Sequence, residues 1–108
     1  MQADTTEAEW LDPKREFSLA ELSEASGLSE AELRELVGYG ALVPTNPRAE
    51  QWTFGAGFVV VVQTAGRLRD DLELDPHALA LALTLIDRIR KLESQLRDLR
   101  AQLPRRFP

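Results

Sequence analysis

The chain has 108 residues, a net charge of −5 and no cysteine, which indicates one domain and excludes disulfides and thiolate metal sites. Its longest aliphatic-aromatic run, residues 58–62, is far too short to span a bilayer, and the opening MQADTTEAEW lacks the basic and apolar regions of a signal peptide. A soluble, cytoplasmic protein with no membrane role is expected, small enough for oligomerisation to matter to its stability. The charge is uneven: residues 1–50 hold 11 acids and 4 bases, whereas residues 51–108 hold 7 acids and 9 bases. An acidic first half steers basic partners and repels nucleic acid.

Residues 1–16 form an acidic arm interrupted by Pro13. It is expected to be disordered or loosely docked, with Trp10 and Leu11 as its anchors. Residues 17–44, FSLAELSEASGLSEAELRELVGYGALVP, read as two short helices across a tight turn. Ser18 can cap the first by accepting from an orphan N–H, and Leu19, Leu22 and Ala25 recur at roughly helical period. Gly27 ends that helix, where a residue without Cβ takes a left-handed conformation cheaply. Ser29 opens the second helix, with Glu32 completing a capping box. Leu33, Leu36 and Val37 turn toward the first helix, and Gly38 and Gly40 allow the exit. This is a helix-turn-helix.

That shape suggests DNA, and the charges do not. A recognition helix offers Arg, Lys, Asn or Gln to base edges, backed by cations on phosphates. Here Glu21, Glu24, Glu30, Glu32 and Glu35 stand against one cation, Arg34. Bringing them to a phosphate backbone meets repulsion in place of counterion release. Any one of them could be ordinary solvated surface; as a set on this motif they point to a protein partner.

Residues 41–43 and 51–54 flank the turn-rich TNPRAE and read as a short β-hairpin, or wing, with Trp52 and Phe54 on its core face. Residues 58–72 are ambiguous. FVVVV favours a strand, but Phe58, Val62, Ala65, Leu68 (or Arg69) and Leu72 follow a helical stripe that outlasts it, so a helix is expected. Gly66 weakens that helix by about 1 kcal/mol relative to alanine, and Gly55-Ala56-Gly57 offers it no polar cap. Asp75 caps the last helix, with Pro76 at its first position.

The last helix carries Ala78, Ala82, Leu85, Ile89, Leu92, Leu96, Leu99 and Leu103, an a/d heptad seam. A second stripe, Leu79, Leu83 and Ile86, can pack on the globular part. The helix would run about 40 Å until Pro104 stops it. Its outer half has no partner within the chain, so a homodimer, parallel or antiparallel, joined through Leu85, Ile89, Leu92, Leu96 and Leu99 is expected. The alternative is a lone amphipathic helix folded onto its own domain. The division is an arm over 1–16, a helix-turn-helix with wing and third helix over 17–75, and a coiled-coil helix with its tail over 76–108.

The order helix-turn-helix, wing, helix pair and terminal coiled coil resembles the MerR-like regulators. Leu28-Ser29-Glu30-Ala31-Glu32-Leu33, then Val37-Gly38-Tyr39-Gly40 and Val43-Pro44, is similar to one branch of them, the CbpM-type chaperone modulators. Trp52-Thr53-Phe54, Arg67-Leu68-Arg69, Asp71-Leu72-Glu73-Leu74-Asp75 and Ala80-Leu81-Ala82-Leu83 extend the resemblance over residues 17–103. It implies a mainly α, winged helix-turn-helix protein that binds the J-domain of a CbpA-type, DnaJ-like co-chaperone and blocks its stimulation of a DnaK-type chaperone. J-domains of that kind present a basic helix, which an acidic surface complements.

The residues expected to face that helix are Glu30, Glu32 and Glu35, with Asp70, Asp71 and Glu73, and charge reversal at Glu32 and Glu35 is expected to leave the fold intact. No nucleophile–base spacing or phosphate-cradling glycine motif is present, so no catalytic residue and no cofactor are expected. His77 reads as an exposed first-turn residue. A metal site joining it to Asp70, Asp71 and Glu73 has little in its favour, and no metal is expected. The rival reading is a MerR-type DNA-binding transcriptional regulator; a further one is a dimeric scaffold with no regulatory output.

Overall fold

A computed structural model describes residue 12 and residues 14–103. The expected anchors Trp10 and Leu11, the break at Pro13 and the stop at Pro104 lie outside the described residues. The elements are β1 (Glu16–Ser18), α1 (Leu19–Ser26), α2 (Glu30–Gly38), β2 (Thr53–Gly55), α3 (Gly57–Leu72) and α4 (Pro76–Gln102). The molecule is mainly helical, and the two strands form a small antiparallel sheet.

Local chemistry sets both helices of the turn. Ser18 Oγ accepts from the Glu21 N–H at 3.1 Å, and Glu21 Oε1 accepts from the Ser18 N–H at 2.9 Å. Ser29 and Glu32 repeat this reciprocal pairing at 3.0 and 2.9 Å. Two capping boxes are therefore present, the first going beyond the simple serine cap read from the sequence. Gly27 closes α1 at φ 79°, in the left-handed region.

The wing departs from expectation. β2 pairs with β1, placing Phe17 opposite Phe54, and residues 41–43 form no strand. Both phenylalanines are fully buried, and a cross-strand aromatic pair stabilises a ladder, while Leu42 goes into the core without forming a strand. Residues 40–42 finish the α2 exit instead: the Ala41 and Leu42 N–H groups donate to the Leu36 carbonyl at 2.9 and 3.4 Å. Glu16 fastens the sheet to the loop by accepting from the Thr45 and Thr53 hydroxyls at 2.7 and 2.8 Å.

The ambiguous stretch is helical. α3 begins without a side-chain cap at Ala56, as Gly55-Ala56-Gly57 led one to expect. Its buried face is Val59, Val62, Ala65 and Gly66, while Leu72 is exposed. The expected stripe holds at Val62 and Ala65, with Phe58 and Leu68 partly buried against the core, whereas its last member, Leu72, is exposed and Val59 and Gly66 join the buried face. A Cβ at Gly66 would lie 2.1 Å from the Ser26 carbonyl oxygen. The missing side chain, which helix propensity alone marks as a defect, is what lets the end of α1 cross α3.

Asp75 Oδ1 accepts the Ala78 N–H at 2.8 Å, with Pro76 at the first helical position. The first turns of α4 bury Leu79, Ala80 and Leu83 in the same core as Leu22, Leu33, Leu36 and Val62. After Ile86 every described residue of the helix is exposed. At 27 residues the helix is about 40 Å long, so its outer half projects from the packed part of a molecule measuring 55 × 35 × 31 Å.

Candidate functional site

α2 organises the candidate surface. Residues two apart on a helix differ by about 200°, so Glu30 and Glu32 occupy opposite flanks of α2 and do not share one face. Glu30 lies on the wing side, with Arg34 one turn on at 4.0 Å. It lines an open groove of about 620 Å3 that runs between the starts of α1 and α2 and the loop of residues 47–52, called the wing, with Trp52 on the far wall. Glu35 is exposed between the flanks.

Glu32 faces α3. Its Oε1 accepts from the Ser29 N–H and, at 2.6 Å, from Arg69 Nη1. Arg69 also donates to the Gly27 carbonyl at 3.2 Å and pairs with Asp70 at 2.9 Å. One guanidinium thus ties the turn of the helix-turn-helix to the end of α3 and brings Asp70 to Glu32. The same device recurs at α1, where Arg15 pairs with the capping-box Glu21 and stacks 4.4 Å above the Phe17 ring. The two helices themselves hold five glutamates against Arg34, and the fold adds cations from outside them. Two of the five are matched by arginines from outside the two helices, the second across 37 residues of sequence.

Asp71 and Glu73 are exposed at the end of α3. Glu73 closes that helix at φ 52°, its N–H donating to the Arg69 carbonyl at 2.8 Å. Of the six acidic residues expected at a partner surface, Glu32 and Asp70 are held by Arg69 and Glu30 stands by Arg34, whereas Glu35, Asp71 and Glu73 have no ion-pair partner among the described residues. His77 is exposed, as read from the sequence, and its ring stacks on Tyr39 at 4.7 Å, linking the α2 exit to the start of α4. Among the described residues no three His, Cys, Asp or Glu side chains converge as metal ligands, and no helix is long and apolar enough to cross a membrane.

A second open groove, of about 400 Å3, lies between the α2 exit, α3 and α4, with Phe58 and Val61 beneath a rim of Asp87, Arg90 and Lys91. On α4 the expected seam is bare: Leu85, Ile89, Leu92, Leu96 and Leu99 are each 48 to 60% exposed.

The sequence profile of the MerR HTH family regulatory proteins matches residues 17–101. Over 89 residues the chain is 42% identical to the chaperone modulatory protein CbpM of Escherichia coli O1:K1 / APEC, covering 82% of this chain and 88% of that one. The chain belongs to the CbpM family of MerR-type helix-turn-helix proteins. The CbpM proteins of Escherichia coli O139:H28 (strain E24377A / ETEC) and O9:H4 (strain HS) match with the same identity and coverage. These relatives of the CbpM-family chain are named as a modulator and as regulatory proteins, not as enzymes.

In this CbpM-family chain the clamped glutamates link the helix-turn-helix to pH. The Ser29 N–H, with help from Arg69 and against the opposing effect of burial, holds the Glu32 carboxyl below the ordinary value of 4.5. The Ser18 N–H does the same for Glu21. A carboxyl whose folded pKa is depressed stabilises the fold above its unfolded value and loses that contribution as pH falls through the folded one. Glu32→Gln should therefore lower stability at neutral pH and flatten its decline below about pH 4.5. Urea midpoints across an acid series check this; an acid limb of unchanged slope would show that Glu32 is not clamped.

Proposed function

We propose that this chain is a chaperone modulator that binds the J-domain of a CbpA-type, DnaJ-like co-chaperone in the cytoplasm and blocks its stimulation of a DnaK-type chaperone. It acts as a homodimer joined through Leu85, Ile89, Leu92, Leu96 and Leu99. The observation that carries the reading is what α2 presents where a DNA-binding protein would place base-reading side chains: Glu30, Ala31, Arg34, Glu35 and Gly38 are its exposed residues. Arg34 is the only one suited to bases or phosphates. The names of the relatives support the chaperone connection. Glu35, Asp71 and Glu73, exposed beside the clamped pair, supply a negative field for a basic helix, and such fields chiefly set encounter rate and register. The dimer is supported by the bare seam, whose five large aliphatic side chains stay about half exposed in a single chain.

The clamp at Glu32 changes which residues test the surface. Reversing Glu32 removes a capping box and an inter-element ion pair and should therefore cost stability as well as charge; Glu35 and Asp71 are the residues to reverse. Glu35→Lys with Asp71→Lys should slow association with a purified J-domain about tenfold at low salt, flatten the salt dependence and leave the melting temperature close to that of the unmodified protein. Stopped-flow association from low to high salt measures this. On-rates equal to the unmodified protein's throughout would remove these carboxylates from the interface. A sub-micromolar mobility shift on duplex DNA with a steep salt slope would favour the transcription-regulator reading instead.

A further inference from the structure

We propose that the groove between α1, α2 and the loop of residues 47–52 is the anchor site of the partner surface, seating a cationic helix by one bulky apolar side chain against Trp52. The proposal rests on the J-domain reading and deepens it by naming where affinity comes from. Surface carboxylates steer a basic partner, but the binding energy of interfaces concentrates in a few desolvated apolar contacts. The exposed carboxylates of α2 and α3 give no such contact; the groove offers one at Trp52, flanked by Ala20, Pro47 and Ala49 within an otherwise mostly polar lining.

Trp52 is the rigid element of its wall. Its indole N–H donates to the Pro47 carbonyl at 3.2 Å, and its ring meets Phe54 edge-on at 6.4 Å. Phe54 is itself fully buried, so the indole is held from two sides while remaining only partly covered. An aromatic ring already fixed in place loses little conformational freedom on binding and attracts a cation over its face. Ala20, exposed in the first turn of α1, keeps the opposite wall low.

Charge chooses the occupant. Glu30 and Glu50 both line the groove, and the cation present, Arg34, stands 4.0 Å from Glu30. A phosphate backbone entering here would meet the two carboxylates, whereas a Lys- or Arg-bearing helix would pair with them. The groove under α4 differs in the sign of its surplus charge, since on its rim Asp87 pairs with Lys91 at 3.0 Å and Arg90 is left over among the described residues, which disfavours the same cationic helix.

The test uses the full chain and a purified J-domain of a CbpA-type co-chaperone. Ala20→Arg fills the groove with a cation at an exposed helical position and should weaken J-domain binding about tenfold or more, with an unchanged melting temperature. Glu50→Lys should act in the same direction. Thr84→Arg, placed in the groove under α4, serves as the control and should bind as the unmodified protein does.

The chain has two tryptophans, so Trp10→Phe leaves Trp52 alone. Its indole N–H resonance should shift or broaden as unlabelled J-domain is added. If the J-domain binds but Ala20→Arg and Glu50→Lys bind it equally well and the indole resonance stays in place, the groove is not the anchor and the J-domain reading survives. If the J-domain does not bind the unmodified protein, that reading falls and the anchor with it. An indole resonance that moves with duplex DNA and not with the J-domain overturns the choice of occupant.

Discussion

Gly66→Ala should destabilise the fold by about 2 kcal/mol, more than any surface change described above, although alanine is the better helix former. The added Cβ would sit 2.1 Å from the Ser26 carbonyl oxygen and 3.1 Å from the carbonyl carbon. Both are backbone atoms, so no rotamer change can relieve the contact, and α1 must move off α3. Overpacking of this kind costs about 1–3 kcal/mol and occasionally more, against a gain of about 1 kcal/mol in helix propensity. The steric cost should take the upper end of its range because the clash is with main chain at a helix crossing. Loss of about 2 kcal/mol should lower the thermal midpoint by roughly 10 °C in a domain of this size. Thermal melts at one fixed protein concentration measure it. A midpoint equal to or above that of the unmodified protein would mean that propensity wins and that α1 and α3 are not in this close contact.

Leu92→Asp with Leu96→Asp should convert the proposed dimer to monomer. Both residues lie in the outer half of α4, where 48% of each is exposed in a single chain, so the globular core loses nothing directly. In a paired seam each substitution exchanges a desolvated leucine for an unpaired charge, at a cost of several kcal/mol, and the symmetry of a homodimer doubles it. The dissociation constant should rise by at least three orders of magnitude. Sedimentation of both forms at tens of micromolar decides the matter. An unmodified protein that already sediments as a monomer would end the dimer proposal and favour a solitary amphipathic helix.

What could be read from the sequence was what is decided locally. Ser18, Ser29 and Asp75 cap their helices because a cap depends on residues three apart, and Gly27 ends α1 because only its own φ is in question. The seam on α4 is legible for the same reason, being a period along one helix. The choice of helix over strand for residues 58–72 followed from a stripe that continued past the β-branched run.

Long-range choices were not legible. Pairing of β2 with β1 brings together Phe17 and Phe54, and nothing in the spacing of either segment announces the other, whereas a hairpin across TNPRAE is the nearer guess. Gly66 looks like a weakness until the Ser26 carbonyl is placed beside it. The acidic surface was legible only as a count of charges. Arg69 and Arg15 remove two glutamates from that count, and the flanks of α2 divide Glu30 from Glu32. The groove beside Trp52 escaped the sequence altogether, since its walls come from three elements.

ATP hydrolysis by a DnaK-type chaperone stimulated by a purified CbpA-type co-chaperone, with this chain added in increasing amount, tests the proposed function most directly. The stimulated rate should fall to the chaperone's basal rate as the chain approaches equivalence with the J-domain, and the basal rate should not change. Full stimulation persisting at a large excess of the chain, or an equal loss of the basal rate, would contradict a modulator that works by occupying the J-domain.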